Sequence, residues 1–267
     1  MIALSSLKKM VMLCLVIVLL LASCGDKNNY DKLEEFAISK GQEQQFENTP
    51  QETDISHLRG CKFPQKEYEN IESECYINGD VNIVYPQFLD AEASKLNELI
   101  KFEAMSAFFN TYNSDEKDLT LEISYAITLK NEELLSVVFY GYGDRKGAAH
   151  PNRQFYTVNI DLKNIKKICL KDVINDFEKL ETLIKNKNFV FKMYSDPETE
   201  DILKVNELLS FEHLARSDVY GSGIYGYFTE NSLGISFEVP YVIGNHVEIE
   251  LPYNELKDLY IKSMPTA

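Results

Sequence analysis

Leu121, Ile123, Tyr125, Ile127 and Leu129 alternate with Glu122, Ser124, Ala126 and Thr128, and this period of two constrains the fold more than any other feature. Successive side chains of an extended strand point to opposite faces. The segment therefore predicts a strand with one apolar and one mixed face, as in an antiparallel sheet. Asn131-Glu132-Glu133 reads as a turn and residues 134–142 as the returning strand, so the two form a hairpin. Residues 155–162 read as a third strand after a glycine-rich loop, and 224–228, 234–240 and 247–251 as closing strands. Helical spacing takes over at Leu96, Leu99, Ile100, Phe102, Phe108 and Phe109, with Ser94 as candidate N-cap. It recurs over 170–191, where Val173, Phe177, Leu180 and Ile184 share a face. Shorter helices are predicted within 205–214 and 253–262. Runs of strands with helices inserted between them predict an α+β domain, a mainly antiparallel sheet with helices packed on it. The 16 tyrosines and 15 phenylalanines, with no tryptophan, suit such half-wet strands.

The N-terminus states an address. Lys8 and Lys9 precede an uncharged run from Met10 to Ala22, and Leu21-Ala22-Ser23-Cys24 closes it. A basic start, a short apolar core and small residues before a cleavage point make a secretory signal, too short to span a bilayer comfortably. The pattern resembles a bacterial lipoprotein signal, which implies that Cys24 is acylated, becomes the mature N-terminus and tethers the chain to a membrane at the cell envelope. Residues 1–23 are thus expected to be signal, 24–59 a polar tether and 60–267 the folded domain. A flexible coil of the tether's length reaches roughly 30 Å.

Charge and cysteine usage narrow the class further. With 42 acidic against 27 basic residues the net charge is −15, which repels nucleic acid and attracts a basic partner. Of the five cysteines, Cys14 leaves with the signal and Cys24 takes lipid. Cys61 and Cys75 flank a turn-rich segment and are the candidate disulfide, worth about 3 kcal/mol if unstrained. Cys169, between Ile168 and Leu170, reads as a small buried hydrophobe.

A set of motifs recurs in order along the chain: Val84-Tyr85-Pro86-Gln87-Phe88, Leu96-Asn97-Glu98-Leu99-Ile100, Gly147-Ala148-Ala149-His150, Asn159-Ile160-Asp161, Phe237-Glu238-Val239-Pro240-Tyr241 and Ile249-Glu250-Leu251-Pro252-Tyr253. In order and spacing, over roughly residues 60–262, this resembles the extracytoplasmic domain shared by RsiV-type anti-sigma factors and PdaC-type peptidoglycan deacetylases. The resemblance implies an α+β envelope module without catalysis of its own, one that in RsiV-type sensors binds lysozyme. Only residues 1–9 precede the apolar run, leaving no cytoplasmic segment for a sigma factor, and no Thr-Phe-Asp-Asp-Gly motif of a deacetylase follows. Here the domain is expected to stand alone.

Candidate chemistry is thin. Gly221-Ser222-Gly223-Ile224-Tyr225-Gly226 fits G-x-G-x-x-G, but a strand-like segment follows where a dinucleotide site needs a helix, so no cofactor is expected. The four histidines are scattered without H-E-x-x-H spacing, so no metal is expected. Ser222 has no His–Asp pair to activate it. Two loops remain, 141–151 and 220–227. They carry Tyr142, Arg145, His150, Tyr220, Tyr225 and Tyr227 as ligand-binding candidates, residue types that anchor interfaces. The expected partner is a basic protein such as a lysozyme-like hydrolase, or peptidoglycan. A cell-wall glycan hydrolase or deacetylase-associated protein, and a purely structural lipoprotein, stand as alternatives.

Overall fold

The computed structural model describes residues 67–112, 118–186, 189–191, 209–219, 221–241 and 244–259, all within the unit that runs from Ile55 to Ala267. The signal and tether, with Cys24, Cys61 and Tyr220, lie outside the described residues. The domain is α+β. A six-stranded sheet in the order β1-β2-β3-β4-β5-β6 is accompanied by a four-stranded sheet in the order β7-β10-β9-β8.

The first sheet opens with a hairpin that the alternation did not announce, β1 (Ile71–Asn78) and β2 (Val81–Phe88). Its two-residue turn is Gly79-Asp80, with Gly79 at φ +60°, a backbone setting that tight hairpins favour and glycine takes without strain. From β2 the chain crosses through α1 (Ser94–Ala104) and α2 (Ser106–Thr111) and returns as β3 (Leu119–Lys130), parallel to β2. The predicted single helix therefore breaks at Met105, and Ser94 is its first residue rather than its cap. Asn97 fixes α1 to the sheet: its amide accepts from Phe88 N and donates to Phe88 O, each at 2.9 Å.

β3 pairs with β4 (Leu134–Arg145), β4 with β5 (Asn152–Asp161) and β5 with β6 (Lys166–Ile168), all antiparallel. The predicted hairpin is present, with a register shift between Ile127 and Leu129. β4 and β5 are buried on both faces through Leu134–Tyr140 and Gln154–Ile160. On one side Phe139 stacks on Tyr156, whose hydroxyl donates to Ala104 O of α1 at 2.5 Å. On the other lies β8.

The helical pattern of 170–191 resolves into α3 (Leu170–Val173) and α4 (Phe177–Lys185), α4 capped by Asp176, whose carboxylate accepts from Lys179 N. α5 (Phe211–Leu214) is one turn. β7 (Val190–Phe191), β8 (Ile224–Phe228), β9 (Ser232–Glu238) and β10 (His246–Pro252) make the second sheet, and a 3-10 turn at Tyr253–Glu255 stands where a helix was expected to begin. One face of this sheet is apolar: Leu233, Ile235, Phe237, Val247, Ile249 and Leu251 pack with Leu170, Leu180, Ile184 and Leu214 of the helices.

A buried polar seam joins the two sheets. Ser136 Oγ accepts from Phe228 N at 2.9 Å and donates to Asn159 Oδ1 at 2.7 Å, while Thr157 Oγ1 and Asn159 Nδ2 both donate to Gly226 O. Buried hydrogen-bonding groups are expensive to leave unmet, so the seam fixes where β8 lies on the first sheet.

Cysteine pairing departs from expectation. Cys75 is a free, exposed thiol and Cys169 is disulfide-bonded, its partner not among the described cysteines. The expected Cys61–Cys75 bridge is therefore corrected. Cys75 is held in the β1–β2 ladder opposite Val84, and strand geometry rather than nearness in sequence decides which sulfurs can meet.

Candidate functional site

The alternation His246-Val247-Glu248-Ile249-Glu250 sends Val247 and Ile249 to the helical face of the second sheet and the other three to the opposite face. Register places Glu238 beside His246 and Ser236 beside Glu248, with Tyr225 next to Ser236 on β8. Where this polar face meets the start of β5 there is a cleft of about 180 Å³, bordered by Asn152, Arg153, Tyr225, Glu238, Asn245 and His246.

Its rim is latched across the two sheets. Asn245, at φ +72°, donates from Nδ2 to Asn152 Oδ1 at 3.0 Å and accepts from Arg153 N at 3.3 Å. Asparagine tolerates the left-handed region better than most residues, which suits it to this corner. Tyr225 OH accepts from Gly221 N at 2.9 Å and so ties the glycine-rich segment to β8.

Behind the cleft stands a buried pair. Glu248 is fully buried; its Oε1 accepts from Ser236 Oγ at 3.1 Å and lies 2.5 Å from His246 Nδ1, while Oε2 has no hydrogen-bond partner. The imidazole also packs against Phe155, 5.1 Å between ring centroids. A carboxylate behind one ring nitrogen fixes ring orientation and tautomer, and here the nitrogen so engaged is Nδ1. Among the described residues no group of three or more His, Cys, Asp or Glu could hold a metal ion, and no helix is long and apolar enough to cross a membrane.

The residues singled out from sequence divide. Tyr225 borders the cleft, though from a buried strand position rather than a loop. Tyr227 is corrected outright: it is fully buried, its ring lies over Gly234, where a Cβ would stand 2.0 Å away, and its hydroxyl points to Glu250. The loop expected over 141–151 is shorter, because β4 runs to Arg145 and β5 begins at Asn152. Tyr142 is thus a half-buried strand residue, its hydroxyl pushed up by burial and by Glu122. Arg145 sits over the Tyr112 ring at 5.0 Å. His150 is exposed, stacks on Tyr241 at 3.5 Å and has Nδ1 3.3 Å from Pro151 O. Tyr220 lies outside the described residues. Metal-ligand spacing among the scattered histidines gives no sign of His246 and Glu248; their signal in the sequence is the alternation with Val247 and Ile249.

Among the solved structures that this chain resembles are two described as DUF3298 family proteins. One, from Pseudomonas aeruginosa, aligns over 71% of this chain and 93% of its own at 13% identity and a TM-score of 0.46. Another, from Bacteroides fragilis, aligns over 72% and 93% at 14% identity and a TM-score of 0.44. No family model matches the sequence, and no curated protein does.

Proposed function

We propose that this chain is an envelope lipoprotein, tethered through acylated Cys24, whose domain binds a protein or cell-wall ligand without catalysis. The observation that supports the reading is the latched cleft where the two sheets meet. Its walls offer amides, an arginine, a carboxylate, an imidazole and an aromatic ring, the mixture that fixes a polar ligand's orientation. The acidic charge of the chain favours a basic protein, such as a lysozyme-like hydrolase, over an anionic one. Capture of such a protein and of isolated peptidoglycan, at low and at physiological salt, tests it. Binding by one of them is expected, weakened about tenfold by Asn245→Ala, which unlatches the rim at the cost of roughly one hydrogen bond. Absence of capture at both salt concentrations removes the reading. The tether is tested apart: Cys24→Ala is expected to release the protein or leave it unprocessed, and a processed variant still in the membrane fraction would refute lipidation.

His246 and Glu248 favour a second reading, hydrolysis of a cell-wall glycan. A cleft imidazole oriented by a buried carboxylate is how many general bases are held. Release of acetate or reducing ends from peptidoglycan, abolished by His246→Ala, would establish it in place of the first.

A further inference from the structure

Cys14, Cys24, Cys61, Cys75 and Cys169 are all the cysteines the chain offers. Cys169 is disulfide-bonded and Cys75 is a free thiol, so the partner of Cys169 is Cys14, Cys24 or Cys61. The envelope-lipoprotein reading decides among these, and the inference rests on it. Signal cleavage removes Cys14. Acylation turns the Cys24 thiol into a thioether, which has no thiolate to enter a disulfide. Cys61 is what remains.

Reach permits the pair. Lys130 Nζ lies over the Tyr68 ring, 5.4 Å from its centre, so the approach to β1 stands near the end of β3. From there the register runs Lys130, Leu135, Ile160, Lys167 across β3, β4, β5 and β6. Adjacent strands lie about 4.8 Å apart, which sets Lys167 roughly 14 Å from Lys130, and Cys169 follows soon after Lys167 in the chain. The stretch from Cys61 to Tyr68 spans roughly 23 Å when extended, enough to bring the two sulfurs together. The Cys169 end is prepared for the bond. Cys169 is 1% exposed and caps α3, its N donating to Asp172 Oδ2 at 2.9 Å. Serine, threonine, aspartate and asparagine are the favoured caps, and sulfur is a weaker acceptor than their oxygens. A disulfide gives the sulfur a use that capping does not, and burial shields that bond from thiols in solution.

We propose that Cys61 and Cys169 form a disulfide that fastens the membrane tether to the start of α3. The bond forms by exchange with a protein disulfide of an oxidising envelope: the S–S bond joins Cys61 to Cys169, and two hydrogens pass from their thiols to that disulfide, which leaves as a dithiol. The loop so closed holds β1 to β6 with α1 and α2, the whole of the first sheet. The domain thereby hangs from the membrane at Cys169, and the free tether ends at Cys61 rather than at β1.

Full-length protein purified from cells without reductant, blocked with N-ethylmaleimide and digested, is mapped by mass spectrometry. A linked peptide pair holding Cys61 and Cys169 is expected, with Cys75 alkylated. Cys169 alkylated, or linked to Cys75, overturns the proposal and leaves lipidation standing. Cys169 linked to Cys24 or Cys14 overturns both. Fastening is read separately, with a sequence-specific protease site inserted after Pro64, between Cys61 and β1. Recovery of the uncut variant in the membrane fraction is the control for lipidation, and its loss from that fraction removes the lipoprotein reading while the peptide map still decides the pairing. After cutting, the domain is expected to stay with the membranes until a reductant releases it. Release without reductant overturns the fastening.

Discussion

Asp218 illustrates how much one side chain can hold. It is fully buried at φ +66°, and its carboxylate accepts from Leu170 N at 2.6 Å, Gly226 N at 2.5 Å and Ser217 Oγ at 3.2 Å. It thus joins the start of α3 to β8. Burial nevertheless pushes its pKa up to about 6 from 3.8, against the pull of those bonds and of Lys167. The folded state therefore holds this proton more tightly than the unfolded chain does. The stability so gained is full below the unfolded value near 3.8 and is lost as pH rises through about 6. Relative to Asp218→Asn, which keeps the backbone setting, the native protein is expected to gain about 2 kcal/mol between pH 7 and pH 4. Denaturant titrations across that range measure it, and parallel curves would show that Asp218 is not the titrating group. At Tyr227 the expectation is simpler. Tyr227→Ala should cost about 3–5 kcal/mol and Gly234→Ala about 1–3 kcal/mol through overpacking against the ring, both read as falls in melting temperature.

Among the elements, legibility tracked periodicity. β3 and β4 were readable because a clean period of two and a polar turn coincide, and β8 to β10 because short apolar runs lie between turn residues. The β1–β2 hairpin was not, since β1 is an edge strand exposed on most positions and leaves no apolar alternation to detect. Its one local signal, Asn78-Gly79-Asp80, marks the turn rather than the strands. Helix boundaries at Met105 and Ile174 were likewise hidden, because apolar spacing continues through both breaks. Of the cleft, Tyr225 was anticipated, but His246, Glu248 and Asn245 come together only through the β9–β10 register and the long reach to β5. The seam gives a test at this scale. Ser136→Ala removes the acceptor for Phe228 N and the donor to Asn159, and is expected to cost about 1–3 kcal/mol. Hydrogen exchange should then rise at β8 before it rises in β3.

For the molecule as a whole, two apolar cores lie on either side of that seam, one under the first sheet with α1 and α2, the other between the second sheet and α3 to α5. Cysteine chemistry differs between them. Alkylation of the folded protein without reductant is expected to label Cys75 and spare Cys169, and Cys169→Ser to cost about 2–4 kcal/mol. Peptide mapping and thermal melts check the pair.

The seam also bears on time. Phe228 and Ser136 are 92 positions apart, and Thr157 and Gly226 are 69 apart. Contacts this remote require large loops to close before they give any return, and such topologies fold slowly. A chain emerging N-terminus first completes β1 to β6 well before β8 arrives. Until then Ser136, Thr157 and Asn159 face water on a sheet that is finished but uncovered, so the arrival of β8 is the step that converts a nascent half into the native protein.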